Sequence, residues 1–297
     1  MQRFDVIVIG QGYTGLKAAK LAAARGLRTA VAERMFPGGL IMSINHLDPV
    51  PEGEEPSGPE VTGGLAMENM DGGVHSVEGA VSALSQAGDG WQVDTDGGPV
   101  QAGSVIVATG ARLRKLGIPG EAEFAGRGVS ECADCDGPLY QGKEAVVVGG
   151  GDSAFQEALA LTAYAGRVTI LMRGAAPRAQ AHLVAAVEAE PRITVLADTR
   201  VVEIVGDDGG VTGVRLDGAG APAGVLPCSV VFVFVGLDPD VEIVPAEVER
   251  DASGAIVTGE GCRTALSGLW VIGAARSGYG GLMAHATADA EAPVAAI

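Results

Sequence analysis

Phe4-Asp5-Val6-Ile7-Val8-Ile9-Gly10-Gln11-Gly12-Tyr13-Thr14-Gly15 opens the chain, and Ala145-Val146-Val147-Val148-Gly149-Gly150-Gly151-Asp152-Ser153-Ala154 repeats its plan midway along. Each stretch reads as an apolar strand, a tight turn and the start of a helix. The first glycine, Gly10 or Gly149, permits the turn, and the second, Gly12 or Gly151, lets a pyrophosphate approach the backbone. The third position must be small so that helix and strand pack closely, and Gly15 and Ala154 both qualify. The helix N-terminus then faces the phosphates, with Asp152 and Ser153 opening the second helix. One such motif is common in α/β proteins. Two on the same plan predict an α/β fold with two Rossmann-like nucleotide-binding domains.

The residues that follow each motif differ, and the difference bears on the ligand. In the first copy the next strand, residues 29–33, ends in Glu33, where an acid is expected to hydrogen-bond a free ribose 2′-hydroxyl. A later strand, residues 105–108, returns the chain to this site at Thr109-Gly110. In the second copy the strand over residues 168–171 ends in Met172-Arg173, with Arg178 a short loop later. Guanidinium groups there suit a 2′-phosphate, which favours NADPH over NADH; the alternative is that both arginines are solvated loop residues.

The rest of the chain is organised around these two units. Residues 37–62 read as irregular and residues 63–70 as helical; residues 74–81 and 91–94 read as strands, and residues 112–120 as a crossing linker with a Pro119-Gly120 turn. A hairpin is expected over residues 201–216, a second return strand over 230–235, a strand over 269–273 and an alanine-rich helix at the end. The net charge of −17, from 20 basic and 37 acidic residues, argues against nucleic acid or an anionic membrane as partner. Residues 1–10 read as a strand and not a signal peptide, no apolar run reaches the length of a membrane span, and a cytoplasmic, reducing setting is expected.

Four cysteines in such a chain do not suggest a structural disulfide framework. Cys228 reads as a core residue and Cys262 as a surface or loop thiol. His46, His75, His182 and His285 are scattered without metal-ligand spacing, so no metal is expected. Cys132-Ala133-Asp134-Cys135-Asp136 is different, because two sulfurs separated by two residues in a turn or at a helix start form a small, easily exchanged disulfide. Asp136, adjacent to the pair, is the candidate general acid–base. The alternative is that Asp134 and Asp136 are simply turn residues.

With these residues in view the chain resembles the low-molecular-weight thioredoxin reductases over nearly its whole length. The most specific stretches are Cys132-Ala133-Asp134-Cys135-Asp136-Gly137, Gly149 to Ala154, and Gln156-Glu157-Ala158. The resemblance implies an FAD-binding domain of residues 1–112 and 242–297, an inserted NADPH-binding domain of residues 113–241 carrying the redox pair, and a homodimer. It implies that NADPH reduces FAD, that FAD reduces the Cys132–Cys135 disulfide, and that the dithiol reduces thioredoxin or a thioredoxin-like protein. Cys135 would meet the flavin and Cys132 the partner, with domain rotation about residues 117–120 and 236–240.

The chain departs from the family pattern near the flavin. Gly38-Gly39-Leu40 stands for Gly-Gly-Gln, Pro49-Val50-Pro51-Glu52 for an Asn-aromatic-Pro-Gly turn, and Gly273-Ala274 for Gly-Asp. Met172 and Gly174 replace a family His and Arg beside Arg173, and the last helix stops early at Ile297, with an expected effect on the dimer contact or the flavin wall. These departures leave two alternatives to the NADPH-dependent reductase: an FAD-dependent dithiol oxidase or reductase with another electron donor, and a non-enzymatic relative with a defunct flavin site.

Overall fold

The structure, a computed structural model, describes residues 2–44, 47 and 56–297. The chain forms two compact units, Met1–Arg112 with Asp238–Ile297, and Leu113–Leu237. In the first unit the glycine motif joins β1 (Arg3–Ile9) to α1 (Tyr13–Ala24), and β2 (Thr29–Ala32) follows. Then come α2 (Gly58–Asp71), β3 (His75–Val77), β4 (Val81–Ala87), β5 (Gly90–Thr95) and β6 (Val100–Val107). The chain leaves through β7 (Ala111–Leu113).

The second unit repeats the plan. It holds β8 (Val129–Ser130), the single turn α3 (Ala133–Asp136), β9 (Glu144–Val148), α4 (Asp152–Leu161) and β10 (Arg167–Leu171). There follow α5 (Ala181–Ala189), β11 (Ile193–Leu196), the antiparallel strands β12 (Arg200–Asp207), β13 (Gly210–Asp217) and β14 (Val225–Pro227), and β15 (Val230–Val233). The chain returns through β16 (Leu237–Pro239) and ends with β17 (Leu269–Val271) and α6 (Met283–Ala296).

In the first unit β1 lies between β2 and β6, parallel to both. One half of β6 pairs with β17 in parallel and the other half with β5 in antiparallel. In the second unit β9 lies between β10 and β15 in a parallel sheet ordered β11-β10-β9-β15-β8. Chain direction therefore switches sides at β1 and again at β9, and a crevice opens at the carboxyl end of each, the usual place for a ligand in a doubly wound sheet.

The two turns share one hydrogen bond and one close approach. Gly10 N donates to Ala32 O at 2.8 Å and Gly149 N to Leu171 O at 3.0 Å. A β-carbon on Gly10 would lie 2.4 Å from Ala108 O, and one on Gly149 would lie 2.3 Å from Phe234 O. Both faces of each sheet are covered. In the first unit Ile7, Ile9, Val105 and Val107 pack with Trp91 and Val271 on one face. On the other, Val6, Val8 and Ile106 meet Ala18, Ala19 and Ala22 of α1 and Ala290 and Val294 of α6. Alanine on these helices lets them approach the sheet and each other closely, at little side-chain entropy. Among the described residues no helix is long and apolar enough to cross a membrane.

Three expectations are corrected. The helix expected over residues 63–70 begins at Gly58, because Ser57 and Glu60 form a reciprocal cap: Glu60 N donates to Ser57 Oγ at 3.3 Å and Ser57 N to Glu60 Oε2 at 2.9 Å. That Ser-x-x-Glu signature was available in the sequence. The apolar run 74–81 is not one strand, since Gly79, with φ of 84°, turns the chain between β3 and β4. Cys262 is buried rather than a surface thiol.

Gly15 and Gly63 separate packing from propensity. A β-carbon on Gly15 would sit 2.0 Å from Gly10 O, whereas one on Gly63, within α2, meets nothing within 4 Å. Gly15→Ala is expected to destabilise the first unit by about 3 kcal/mol, and Gly63→Ala to stabilise it by about 0.5–1 kcal/mol. Both tryptophans, Trp91 and Trp270, lie in this unit, so urea denaturation followed by their fluorescence measures both changes.

Candidate functional site

The first unit assembles its candidate residues at the carboxyl edge of the sheet. Gly12 is the extended residue before α1, and no side chain caps that helix. Glu33, at the end of β2, accepts from Gln11 N at 2.7 Å through Oε2 and from Arg34 N at 2.8 Å through Oε1. It thereby clamps the glycine turn as well as standing at the expected ribose position. Gly38 N donates to Gln11 O at 2.7 Å, and a β-carbon on Gly39 would lie 2.9 Å from the Gly12 α-carbon, so the Gly38-Gly39 loop lies directly over the turn. A cleft of about 140 Å³ is bounded by Gly10, Glu33, Thr109 and Asp240.

Asp240 and Asp289 were not identified from the sequence. Thr109 Oγ1 donates to Asp240 O, Asp240 N to Gly110 O at 3.0 Å, and Arg112 grips the Asp240 carboxylate at 2.7 Å. Asp289 of α6 accepts from Gly273 N at 2.9 Å and pairs bidentately with Arg276, both contacts at 2.6 Å. A carboxylate therefore does stand beside Gly273, but it comes from the last helix and is already partnered, while residue 274 is alanine. Gly273 itself packs against α1, where its β-carbon would be 3.0 Å from Thr14 Oγ1. Leu40 is exposed, and Pro49, with Val50, Pro51 and Glu52, lies outside the described residues, as does His46.

In the second unit a larger cleft, about 490 Å³, opens beside Gly149 and Gly150 and is lined by Arg114, Arg173, Arg178 and Arg200. The loop that carries Arg173 and Arg178 is fastened to the glycine turn: Arg178 N donates to Gly150 O at 2.6 Å. Asp152, the first residue of α4, accepts from Gln180 N at 2.7 Å and from Gln180 Nε2 at 2.9 Å. Its carboxylate thus holds the arginine loop. Ser153 is exposed and Ala154 is buried between helix and strand. Met172, in place of the family histidine, is buried in the core beneath the turn.

Cys132 and Cys135 form a disulfide. Cys132 caps α3, its Sγ accepting from Cys135 N at 3.1 Å, and Ser130 Oγ accepts from Cys132 N at 3.2 Å. Cys132 is 9% exposed, whereas Cys135 is open to solvent. Asp136, half-buried, closes the turn by donating its N to Cys132 O at 3.2 Å. Glu157 of α4, also missed as a site residue, accepts from Ala133 N at 2.8 Å. Burial pushes its carboxyl up to about 7, with a further push from Asp134 and an opposing pull from the Ala133 bond. The other two thiols are inert by contrast, because burial pushes Cys228 up to about 12 and Cys262 up to about 11. Among the described residues no cluster of His, Cys, Asp and Glu could hold a metal ion.

The model of the family described as pyridine nucleotide-disulphide oxidoreductase matches residues 4–292. The thioredoxin reductase of Treponema pallidum (strain Nichols) is 36% identical over 297 residues, covering 96% of each chain. That of Mycolicibacterium smegmatis is 38% identical over 283 residues, covering 91% of this chain and 87% of the relative. The crystal structure of Lactococcus lactis thioredoxin reductase superposes with a TM-score of 0.93 at 34% identity, covering 99% of this chain and 97% of that one.

The Arg276–Asp289 pair can be tested by stability alone. The Asp289 side chain is 6% exposed and that of Arg276 19%. Breaking a buried pair from one side strands a charge, so Arg276→Ala is expected to destabilise the first unit by about 3 kcal/mol. Replacing both residues, as Arg276→Met with Asp289→Leu, removes the stranded charge and recovers part of that loss in urea denaturation. Equal stability of Arg276→Ala and the unmutated protein would show the pair to be idle.

Proposed function

The chain belongs to the pyridine nucleotide-disulphide oxidoreductase family, and we propose that it is a cytoplasmic, homodimeric flavoprotein that carries electrons from NADPH through FAD and the Cys132/Cys135 pair to the disulfide of thioredoxin or a thioredoxin-like protein. The observation that carries the reading is the Cys132–Cys135 disulfide, formed at the start of a helical turn in the unit whose nucleotide turn is faced by arginines.

The residues of the first unit fit the adenosine and pyrophosphate half of FAD. The N-terminus of α1 has no side-chain cap to compete with a phosphate. Glu33 accepts three backbone bonds, from Gln11, Arg34 and Met35, and a carboxylate has capacity for one more, from a ribose hydroxyl. Gly10, Gly12, Gly15, Gly39, Thr109, Gly110 and Gly273 supply the close backbone around it. Bound there, FAD would accept a hydride from the reduced nicotinamide and pass an electron pair to a disulfide.

The second unit would bind NADPH through Gly149, Gly151, Asp152, Ser153 and Ala154 at the turn, with Arg173 and Arg178 on the 2′-phosphate. Asp152 acts here through Gln180, by holding the loop that presents both guanidinium groups.

At the protein's own atoms the reaction is a pair of exchanges. Two electrons break the S–S bond, and Asp136 delivers a proton to one sulfur while the other remains a thiolate. The Cys132 thiolate attacks the partner's disulfide, forming a mixed disulfide and expelling the second partner sulfur, which takes a proton. Cys135 then attacks Cys132 Sγ, closing the intramolecular disulfide and releasing the reduced partner. Because Cys132 is the buried member of the pair, its attack requires movement around α3.

Trapping decides the order of attack. Cys135→Ser is expected to accumulate a mixed disulfide between Cys132 and a thioredoxin lacking its resolving cysteine, seen as a covalent adduct by mass spectrometry. Cys132→Ser is expected to leave a Cys135 thiolate at the flavin, with a long-wavelength charge-transfer band. Adducts formed on Cys135 instead would reverse the assignment.

Coenzyme choice is tested separately. Replacing Arg173 and Arg178 with alanine removes charge-assisted bonds of about 1.5–3 kcal/mol each, so KM for NADPH is expected to rise about ten-fold or more with little change for NADH. Equal use of both coenzymes by the unmutated protein would refute the 2′-phosphate assignment.

A further inference from the structure

Glu157 reaches from α4 to the cysteine turn. It projects from the second turn of α4, is half-buried, and accepts from the backbone N of Ala133, one peptide bond from Cys132. The same helix begins at the glycine turn of the nucleotide cleft. Reduction of the pair puts negative charge on sulfur at the N-terminus of α3, next to a carboxylate that burial already disfavours as an anion. Two anions in that position repel, and the group nearer its own protonation point yields.

We propose that Glu157 is the positioning residue and proton store of the redox pair: its carboxylate anchors Ala133 while the disulfide is closed, and it takes up a proton when Cys132 becomes a thiolate. The inference rests on the disulfide-reductase reading above. In the full step the S–S bond accepts two electrons, Cys135 takes one proton, Cys132 stays a thiolate, and Glu157 takes the second proton from solvent. Reoxidation by a partner disulfide returns that proton.

The surroundings favour uptake. The elements packed against α4 carry Asp134 and Asp136 on α3, His182 and Glu188 on α5, Arg167 on β10 and Glu144 on β9, with Tyr140 just beyond α3. Among these it is Asp134, another acid, whose charge acts on Glu157, and no cation offsets it in the balance of influences. With the disulfide closed, burial holds the Glu157 carboxyl at about 7. A thiolate beside it raises that value further. The sign follows: above this pH the oxidised protein has Glu157 ionised and reduction binds an extra proton, and well below it Glu157 is protonated in both states and reduction binds none there.

The test uses the whole protein and reads the disulfide directly. The oxidised fraction of Cys132/Cys135 is measured by thiol alkylation and mass shift in graded dithiothreitol buffers across pH, for the unmutated protein and E157Q. Glutamine keeps an oxygen for Ala133 N but cannot titrate. Each pH unit above 7 is expected to shift the dithiol–disulfide equilibrium by up to about ten-fold more in the unmutated protein than in E157Q, with parallel behaviour well below it. Infrared difference spectra of the unmutated protein, oxidised minus reduced at pH 8, are expected to show a protonated carboxyl appearing on reduction, which covers the case in which E157Q does not fold. Identical pH dependence in both proteins, or no carboxyl signal on reduction, overturns the proposal. NADPH-linked reduction of thioredoxin is followed alongside. Its absence together with the pH difference removes the reductase reading and leaves Glu157 in place; its presence without the difference removes Glu157 alone.

Discussion

Two contacts between backbones, Gly10 against Ala108 and Gly149 against Phe234, set the geometry on which both units depend. At each, a β-carbon would come within 2.4 Å of a carbonyl oxygen, a distance no side chain tolerates. The contact lets the strand end, the returning strand and the new helix meet without an intervening side chain. The helix N-terminus is thereby aimed into the crevice at the carboxyl edge of the sheet, with its free N–H groups turned the same way. Alanine at position 154 and glycine at position 15 are the same solution at the third site, differing by the one methyl that the second unit has room for.

In the second unit a single helix holds both the arginine loop and the cysteine turn. The first turn of α4 carries Asp152, which fixes the arginine loop through Gln180, and its second turn carries Glu157, which fixes the cysteine turn through Ala133. The α3 turn is four residues long, far too short to be stable by itself. It exists because Cys132 caps it, Ser130 receives the Cys132 N–H, and α4 supplies both packing and an acceptor. The nucleotide turn and the redox pair are therefore held in register by one rigid element.

The loop after β17 in the first unit takes its carboxylate from another element. The family pattern places an acid just after the last strand, and this chain has Ala274 there. The carboxylate beside Gly273 is instead that of Asp289, locked to Arg276 with good bidentate geometry. A buried pair of this kind fixes the loop after β17 and the middle of α6 relative to one another more than it adds to stability. Tyr13 and Thr287, hydrogen-bonded at 2.8 Å, tie α6 in turn to the start of α1, so the far end of the chain closes over the first glycine motif.

The α/β class, the two glycine turns, Glu33 and the cysteine pair were legible in the sequence because each depends on residues adjacent in the chain. A strand-turn-helix needs its glycines at fixed spacing, and a cysteine ring needs its two sulfurs three residues apart. The cap at Ser57 and Glu60 is equally local, a Ser-x-x-Glu signature that marks the start of α2. Asp240 on Thr109, Asp289 on Gly273, Gln180 on Asp152 and Glu157 on Ala133 were not legible, since each joins segments far apart in sequence and an acidic residue on a helix surface looks the same with or without a buried partner. Cys262 illustrates the converse, a polar-looking neighbourhood that the fold buries. The sequence by itself determined that two nucleotide-binding units and one redox pair exist, because backbone sterics and ring closure act over a few residues. Which carboxylates anchor the turns, which cysteine faces solvent and which acid bonds the cysteine turn were decided only by tertiary structure, because burial and hydrogen bonding depend on what the folded chain brings alongside.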